Sequence, residues 1–457
     1  MRSGPICTVL EDFYKMGPGP SSSHTMAPMR MGLDFHRRLG ALPRVRLARA
    51  TGLRLHLYGS LSATGRGHGT DRAALAGVLG QAPASCDPDF LDELALRPER
   101  VHRLDLGAAH LPVRISDVVF EDPGLAVPHP NTMRARLLAG DEVLFEQEYY
   151  SVGGGFVEWP GYEPPARGCP PHPYRTMDDL GRYVVEQGLP LVRVLLENEM
   201  ALAGRTEAEV WAFLEEVARV MIRGVDRGLQ VEGLLPGPLG LYSKAAVVYR
   251  NSEASSHYVA DRAITAVAAF ALAMSEENAR GHVVVTAPTA GSAGVVPAAL
   301  KALRDRAGLP MERLREGLLV AAAIGYLCKH NATLSGAEGG CQAEIGVASA
   351  MAAALIAHVQ GGSFSALEAS AESALEHHLG LTCDPVGGYV QVPCIERCAF
   401  GVVKAWTAWC LACEEIPGRR KVDFDTCVQA MALTARDMSQ KYKETSQGGL
   451  AAALVLC

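Results

Sequence analysis

A basic charge excess, an apolar leader and an unbroken apolar span are all missing from this sequence. Its 43 Lys and Arg residues are outnumbered by 50 Asp and Glu residues, which gives a formal net charge of −7 without blocks of like charge. Such a field repels nucleic-acid phosphates, so we expect no nucleic-acid partner. Met1–Lys15 lacks an apolar stretch and contains acidic residues, unlike a secretory signal, and we therefore expect a cytoplasmic protein.

Two stretches without Asp, Glu, Lys or Arg come nearest to a membrane span. Gly281–Leu300 contains two prolines, and Ile345–Leu367 is interrupted by His358 and by Gly361-Gly362. A spanning helix needs about 20 continuous apolar residues. We therefore expect no membrane association.

The pattern of apolar residues, glycines and prolines changes near residue 157. Before that point short apolar runs alternate with Gly and Pro, and Ala139-Gly140-Asp141 between two such runs predicts a β-hairpin. Six prolines between Glu158 and Arg175 exclude a helix or a central strand. The sequence predicts an α+β N-terminal domain at residues 1–157, a proline-rich linker at 158–177 and a mainly α-helical C-terminal domain at 178–457.

Long Ala- and Leu-rich segments at helical spacing dominate the chain after Asp178. No internal repeat of fixed period accompanies them. Helices are predicted at Leu191–Ala203, Glu207–Arg227, Ala260–Ala279, Arg313–Lys329 and Cys398–Cys413.

Three polar turns of the N-terminal domain carry candidate catalytic groups. Gly19–Thr25 places four hydroxyls and His24 before an apolar run, where Ser and Thr cap a helix and where a carboxylate or phosphate also binds. Thr64–Asp71 has three glycines around His68, and His129-Pro130-Asn131 holds a third imidazole on a rigid turn. Histidine suits proton transfer near neutral pH, although each of these residues taken singly fits a polar surface role better.

The cysteines are the second group that carries chemistry. Disulfides are rare in a reducing compartment, so each of the twelve is either a small buried residue or a metal ligand. Cys341, Cys383 and Cys394 each lie beside Gly or Pro, where backbone amides can hydrogen-bond to cluster sulfides. Their wide spacing matches no ferredoxin-type pattern, so spacing alone leaves their role open.

A competing set of cysteines lies further along the last predicted helix. Cys410 and Cys413 have the spacing of half a zinc site, but Leu411-Ala412 between them continues an apolar helix. We therefore interpret Cys398, Cys410 and Cys413 as core residues.

Taken together, these segments resemble the bacterial iron–sulfur L-serine dehydratases (L-serine ammonia-lyases), in the form that joins both halves of the enzyme in one chain. The resemblance runs almost end to end, with the matching segments in the same order. They are Gly19–Thr25, Tyr58–Leu61, Gly65–Asp71, His129–Asn131, Tyr149–Phe156, Glu197–Glu199, Thr286–Thr289, Ser335–Glu338, Gly340–Gln342, Cys383–Gly388, Pro393–Arg397 and Lys441–Ser446.

The resemblance implies a 4Fe-4S cluster held by Cys341, Cys383 and Cys394, with one iron free to bind substrate and no PLP. The implied reaction is β-elimination of water from L-serine to pyruvate and ammonia, a step of amino-acid catabolism that can feed gluconeogenesis. An open iron would polarise the substrate hydroxyl as a Lewis acid, and His68 would take the α-proton.

Further site residues follow from the same resemblance. His24 and His129 are expected to orient the reacting groups as additional catalytic residues. The predicted substrate-binding residues are Ser21, Ser22, Ser23, Thr25, Thr64, Gly67 and Asn131. The amino-acid substrate is the small-molecule partner, and we expect a homodimer.

Several alternatives stay open at this point. Ala290 and Cys398 depart from the family pattern, in which Asn stands at both positions, so L-threonine or a β-substituted amino acid such as cysteine is an alternative substrate. A PLP-dependent dehydratase is disfavoured because neither Lys244 nor Lys329 lies beside a Gly-rich phosphate cup. The non-enzymatic alternative is an iron–sulfur sensor of amino acids.

The C-terminal tail carries one more hypothesis. Gly448–Cys457 is apolar, and the terminal Cys457 offers a carboxylate and a β-thiol, as L-serine offers a carboxylate and a β-hydroxyl. We hypothesise that Cys457 enters the active site as a metal ligand, with its carboxylate on the Ser21–Thr25 turn and its thiolate on the open iron. A buried apolar tail without such a role is the alternative.

Overall fold

The computed structural model describes residues 4–107, 109–254, 258–416 and 419–454. The strands in these ranges are β1 Met16–Pro18, β2 Gly52–Leu57, β3 His102–Asp105, β4 His110–Val113, β5 Val118–Phe120, β6 Thr132–Ala139, β7 Glu142–Ser151, β8 Val157–Glu158 and β9 Val283–Val285.

Helices outnumber strands, and most of them follow residue 177. They are α1 Leu10–Phe13, α2 Ala27–Gly40, α3 Arg44–Leu47, α4 Ser60–Ala63, α5 Gly65–His68, α6 Thr70–Val78, α7 Pro88–Leu96, α8 Met177–Gly181, α9 Leu191–Ala203, α10 Glu207–Gly228, α11 Ala245–Ala254, α12 Val259–Ala279, α13 Val295–Asp305, α14 Met311–Asn331, α15 Gly336–Gly339, α16 Ile345–Val359, α17 Phe364–Glu376, α18 Cys394–Ala412, α19 Phe424–Asp437 and α20 Gly449–Ala453. The predicted α+β N-terminal part and mainly helical C-terminal part are both confirmed.

A five-stranded sheet in the order β5-β2-β6-β7-β8 forms the centre of the N-terminal domain. β2 runs parallel to β5, and every other neighbouring pair in this sheet is antiparallel. The predicted hairpin is confirmed, because Ala139 of β6 pairs with Glu142 of β7. Gly140 supplies the positive φ, +61°, that this tight turn needs.

Helices α2 and α6 cross closely above this sheet. A Cβ on Gly32 of α2 would lie 2.3 Å from the Ala74 carbonyl oxygen, and a Cβ on Gly77 of α6 would lie 2.0 Å from the Met29 carbonyl oxygen. Neither position has room for a side chain, so the two backbones touch at the crossing. This contact positions the turns that precede both helices, which carry His24 and His68.

Helix α16 is the centre of the C-terminal domain. It packs against α13, α14, α17 and α18, and nearly all of its residues are buried. Among the described residues, Cys341–Val359 is the one helical stretch long and apolar enough to cross a membrane, and 89% of the tested window is buried within the protein. That degree of burial is typical of the core helix of a globular domain.

The hydrophobic side chains form two cores. The residues of the predicted N-terminal domain are divided between them. One core draws its residues from Ala27 to Tyr149. The other begins at Tyr174 in the C-terminal part but also contains Ile6, Leu10, Phe13, Tyr14 and Met26. Strand β1 pairs with β9 from the C-terminal half. Residues between Ile6 and Met26 are therefore packed among the C-terminal helices, while the boundaries at 157 and 177 stay predictions.

The interpretation of Cys410 and Cys413 as core residues is wrong. Both side chains are exposed, whereas Cys398 on the same helix is completely buried. Helix α18 is apolar on more than one face, and its outer face carries Phe400 and Leu411, which are also exposed. An apolar sequence thus did not distinguish the inner face of this helix from the outer one.

The α2–α6 crossing generates a stability prediction. Gly32→Ala forces a methyl group into the Ala74 carbonyl and should destabilise the protein by about 1–3 kcal/mol, seen as a lower thermal unfolding midpoint. Gly40→Ala is the matched control in the same helix, because a Cβ at Gly40 meets no atom within 4 Å. Equal midpoints for the two variants would contradict the close crossing.

Candidate active site at the domain junction

The Ser21–Thr25 turn is held mainly by its own side chains. Ser22–Met26 forms a single π-helical turn, and Ser21 Oγ caps it by accepting the His24 N–H at 3.1 Å. Thr25 Oγ1 accepts the Ser21 N–H at 3.3 Å and donates to the His68 carbonyl at 2.8 Å. The predicted capping role is therefore confirmed for Ser21, and Thr25 joins this turn to the His68 turn.

The structure brings His24 and His68 together in the interior. Their ring centroids are 4.7 Å apart, and both side chains are essentially inaccessible to solvent. His68 Nδ1 lies 2.9 Å from the Thr64 carbonyl oxygen. Since a carbonyl only accepts, Nδ1 carries the proton and His68 Nε2 keeps its lone pair. His24 contacts Ser23 Oγ through Nδ1 at 2.9 Å and Ser60 Oγ through Nε2 at 3.0 Å.

Burial keeps both imidazoles neutral. It lowers the pKa of His24 to about 4, and it lowers the pKa of His68 to about 3 with a further contribution from the neighbouring His24. A protonated ring at either position would be a desolvated cation beside a second imidazole. His68 is therefore a buried neutral base with one free nitrogen.

His129 lies outside the His24–His68 contact. It is partly exposed, its ring centroid is 5.9 Å from that of Tyr150, and its Nδ1 accepts the Asn131 N–H at 3.0 Å. The neighbouring Pro130 carbonyl accepts the Ser60 N–H at 2.8 Å, so this turn supports a residue that contacts His24. Asn131 is buried, and its Oδ1 has no hydrogen-bond partner among the described residues.

Gly67 and Thr64 form the contact between the two domains. A Cβ on Gly67 would lie 3.2 Å from the Gly388 carbonyl oxygen, and a Cβ on Gly388 would lie 3.5 Å from Thr64 Cβ. Helix α5, which carries His68, therefore packs against the end of the Cys383–Gly388 segment. This close approach places the histidine pair beside the cysteine-bearing loops.

Three buried cysteines converge on the other side of this junction. The Sγ atoms of Cys341 and Cys383 and a carboxylate oxygen of Glu344 lie within 4.8 Å of one another. Cys394 is the first residue of α18, and burial together with the charge of Cys341 raises its pKa above the usual range. A hydrogen bond with Cys341 and burial raise the pKa of Cys383 in the same way.

Local backbone geometry explains how these cysteines meet. Cys341 follows Gly340, whose φ is +72° and whose Cβ would collide with the Leu381 carbonyl oxygen at 2.7 Å. Cys383 lies in an extended segment, with its N–H bound to the Tyr442 carbonyl at 2.8 Å and its carbonyl bound by the Thr445 N–H at 3.2 Å. The Gly and Pro neighbours noted in the sequence thus mark real bends.

Arg397 is the basic side chain that contacts this cluster of thiols. Its Nη1 donates to Cys341 Sγ at 3.3 Å and to the Thr382 carbonyl at 2.6 Å, and its Nη2 pairs with Asp384 Oδ1 at 3.1 Å. Arg397 follows Cys394 by three residues and so lies on the same side of the first turn of α18. A guanidinium here stabilises negative charge on sulfur.

Two carboxylates of the site had no role in the sequence analysis. Glu444 Oε1 accepts the Ser23 hydroxyl at 3.3 Å and lies 3.4 Å from His24 Nδ1, and burial raises the pKa of Glu444 to about 7. Burial and the charge of Glu444 raise the pKa of Glu344 to about 8. The matching segment Lys441–Ser446 was the available signal for Glu444, but nothing in its composition indicated contact with His24.

A cavity of about 650 Å³ leads to this network from the surface. Ser60 and Glu444 form part of its wall, next to the His24 side chain that both of them contact. The space is large enough for a free amino acid. Cys457, the subject of the hypothesis on the C-terminal tail, lies outside the described residues.

Comparison with known proteins identifies the chain. The family model described as serine dehydratase beta chain matches residues 9–161, and the one described as serine dehydratase alpha chain matches residues 186–451.

Several curated relatives match over nearly their whole length. An L-serine dehydratase of Haemophilus influenzae is 42% identical over 97% of this chain and 98% of its own length. L-serine dehydratase 2 of Escherichia coli is 42% identical over 98% and 99%, and an L-serine dehydratase of Streptomyces coelicolor is 43% identical over the same shares. The chain therefore belongs to the serine dehydratase family, a family of lyases, and joins the regions that match its beta and alpha chains in one polypeptide.

Proposed function

We propose that this protein deaminates L-serine by β-elimination of water and releases pyruvate and ammonia. The observation that carries the proposal is the junction itself, where helix α5, whose His68 lies near His24, packs against the Cys383–Gly388 segment, and where Cys341 and Cys383 lie together with Cys394 beside them. A base and a metal-ligating set thus face one another across the domain contact. The relatives that share this chain's full length are themselves named L-serine dehydratases.

The donor set fits an iron–sulfur cluster. The raised pKa values of Cys383 and Cys394 make their free thiolates unfavourable, and a cationic metal group removes that penalty. Each cysteine of a 4Fe-4S cluster binds a different iron, so such a cluster calls for three thiols around one space, and Cys394 lies next to the Cys341–Cys383 pair. We infer that Cys341, Cys383 and Cys394 hold a 4Fe-4S cluster. When bound, its open iron supplies the Lewis acid that polarises the substrate hydroxyl without a redox step.

His68 is the base in this proposal. Its Nε2 lone pair is free because Nδ1 donates to Thr64, and its neutrality lets it accept the α-proton of the substrate. His24 lies against the His68 ring and is held on both nitrogens by Ser23 and Ser60. We assign His24 and His129 to orientation of these groups, His24 directly and His129 through the turn that supports Ser60.

The Ser21–Thr25 turn is the proposed receptor for the substrate carboxylate. Ser21 and Thr25 use their hydroxyls to hold the turn and the His68 carbonyl. Ser23 Oγ is engaged by Glu444 and His24. This leaves Ser22 as the hydroxyl of the turn that we assign to the substrate carboxylate. Thr64 and Gly67 act by setting the domain contact, and Asn131 offers a buried Oδ1 acceptor.

The packing of the two unusual positions favours L-serine over the alternative substrates. Ala290 and Cys398 are both buried, and Cys398 Sγ donates to the Gly291 carbonyl at 3.3 Å. Ala290 lies in the loop that follows Thr289, and Cys398 contacts that loop. Neither side chain lines the cavity described above. We also propose that PLP takes no part, since Lys244 is engaged in a surface ion pair with Glu396. A homodimer in the cytoplasm is part of the same proposal.

A side-by-side assay tests the proposed reaction. The protein is purified without oxygen, its iron and acid-labile sulfide are measured, and pyruvate, 2-oxobutyrate and sulfide release are followed with L-serine, L-threonine and L-cysteine. We expect the highest kcat/KM for pyruvate formation from L-serine. A fully iron-loaded protein that forms no pyruvate from L-serine would contradict the proposal.

Cysteine substitutions test the ligand assignment. Replacing Cys341, Cys383 or Cys394 by Ser should abolish retention of iron and sulfide, because a three-thiolate site that loses one ligand releases its cluster. Cys410→Ser, at an exposed position, and Cys427→Ser, at a buried one away from the junction, are the controls and should retain both. Full iron content in any of the first three variants would falsify the assignment.

Histidine substitutions test the base. His68→Ala should lower turnover by at least ~10²-fold, the scale for removal of a general base, while leaving the iron and sulfide content unchanged. His377→Ala, on an exposed imidazole, should keep normal turnover. If His68→Ala stays near normal and His24→Ala does not, then His24 is the base.

A further inference from the structure

We propose that the Glu444 carboxylate binds the α-ammonium group of the substrate, and that it thereby selects amino acids over hydroxy acids and simple carboxylic acids. This inference rests on the proposed function, because it concerns recognition of the same amino acid at the same site. It assigns a substrate-binding role to a residue of the C-terminal domain, opposite the serines of the N-terminal turn.

The charges around the junction single out Glu444. An amino acid that leaves water needs an anionic partner for its ammonium group, because an unpaired buried cation is costly. Asp384 is already bound by Arg397 at 3.1 Å and by the Leu450 N–H at 2.7 Å. Glu344 lies against Cys383, with 3.8 Å between its carboxylate and the sulfur. Of these three carboxylates, Glu444 is the one that lines the cavity, and 11% of its side chain is exposed.

Among the residues that the structure describes, Glu444 has polar partners but no cationic one. Ser23 Oγ donates to it, and the Ala337 N–H also hydrogen-bonds to its carboxylate. Of the basic side chains in the described ranges, only that of His24 pairs with Glu444, and burial keeps His24 neutral. The Glu444 carboxylate therefore has no cationic partner among the described residues, and the ammonium group of an incoming substrate would supply one.

The position of Glu444 matches the geometry of an α-amino acid. Its Oε1 is 3.3 Å from Ser23 Oγ, in the turn whose Ser22 hydroxyl is assigned to the substrate carboxylate. The ammonium and carboxylate groups of an amino acid are attached to one carbon, so their two receptors must be neighbours. The Ser21–Thr25 turn and Glu444 fulfil that condition across the domain junction.

The backbone holds Glu444 in an unusual conformation. Its φ of +47° makes it the one non-glycine residue with positive φ in the described part of the chain. Such conformations persist where surrounding contacts enforce them, and they cluster at binding sites. The enforcing contacts are the two backbone bonds from Cys383 to Tyr442 and Thr445, on either side of Glu444. The Tyr442–Thr445 segment binds the backbone of Cys383, a proposed cluster ligand, and the same segment positions the Glu444 carboxylate.

Glu444→Gln tests the proposal, since it keeps the size and an acceptor oxygen but removes the charge. The KM for L-serine should rise by about 10- to 100-fold, the effect of losing a hydrogen bond to a charged group, with a smaller change in kcat. Two competitive inhibitors separate the charge effect from a general disturbance. L-alanine carries the ammonium group and should lose affinity in the variant, whereas propionate lacks it and should not.

Glu338→Gln is the matched control. Glu338 is an exposed carboxylate on the outer part of the same cavity wall, where it accepts a hydrogen bond from Thr333. Its loss should leave the KM for L-serine within about twofold of normal, since exposed charges contribute little. An equal rise in KM for both variants would show a diffuse charge effect and overturn the specific assignment to Glu444.

The remaining outcomes separate this inference from the proposed function. If the wild-type protein forms pyruvate from L-serine and Glu444→Gln leaves both the KM and the affinity for L-alanine unchanged, the inference alone is wrong. If the iron-loaded wild-type protein forms no pyruvate, the proposed function fails and the inference falls with it. Should Glu444→Gln lose its iron, Glu444→Asp keeps the charge and should still prefer L-alanine to propionate; loss of that preference with iron retained contradicts the inference.

Discussion

A three-residue strand pairing holds the two halves of this site in register. Met16–Pro18 pairs with Val283–Val285 from the C-terminal half, and the Gly19 N–H extends the contact to the His282 carbonyl at 3.0 Å. Asn278 Nδ2 then binds the Pro20 carbonyl at 2.8 Å. The next residues form the Ser21–Thr25 turn, so the pairing places His24 against the C-terminal domain. The hydrogen bond from the Thr25 hydroxyl to the His68 carbonyl then fixes the position of His68 relative to the same turn.

Burial at this junction affects both the histidine pair and the cysteines. It keeps His24 and His68 neutral and leaves His68 Nε2 free to accept a proton. On the other side it raises the pKa of Cys383 and Cys394, so that their thiolates would need a cationic partner. The segment around Glu444 links the two sides, because it binds the Cys383 backbone while its carboxylate contacts Ser23. Neither domain alone brings these groups together.

The sequence predicted local structure well and long-range contacts poorly. Leu191–Ala203 is a helix with the predicted ends, and Glu207–Arg227 extends by one residue to Gly228, since helical periodicity is a local property. The packing of Ile6–Tyr14 into the C-terminal core depends on pairing across more than 260 residues, as between Met16 and Val285, which no local pattern encodes. Glu444 and Arg397 were missed as site residues for the same reason. Cys410 and Cys413 were misplaced because apolar content does not tell which face of α18 meets solvent.

Anomalous diffraction at the iron absorption edge, from crystals grown without oxygen, tests the central claim most directly. We expect one compact group of iron atoms in contact with the sulfurs of Cys341, Cys383 and Cys394, on the side of the junction that faces His68. Iron bound elsewhere, or a catalytically active protein without iron at these three sulfurs, would contradict the proposal that the domain junction unites a histidine base with a cysteine-held cluster.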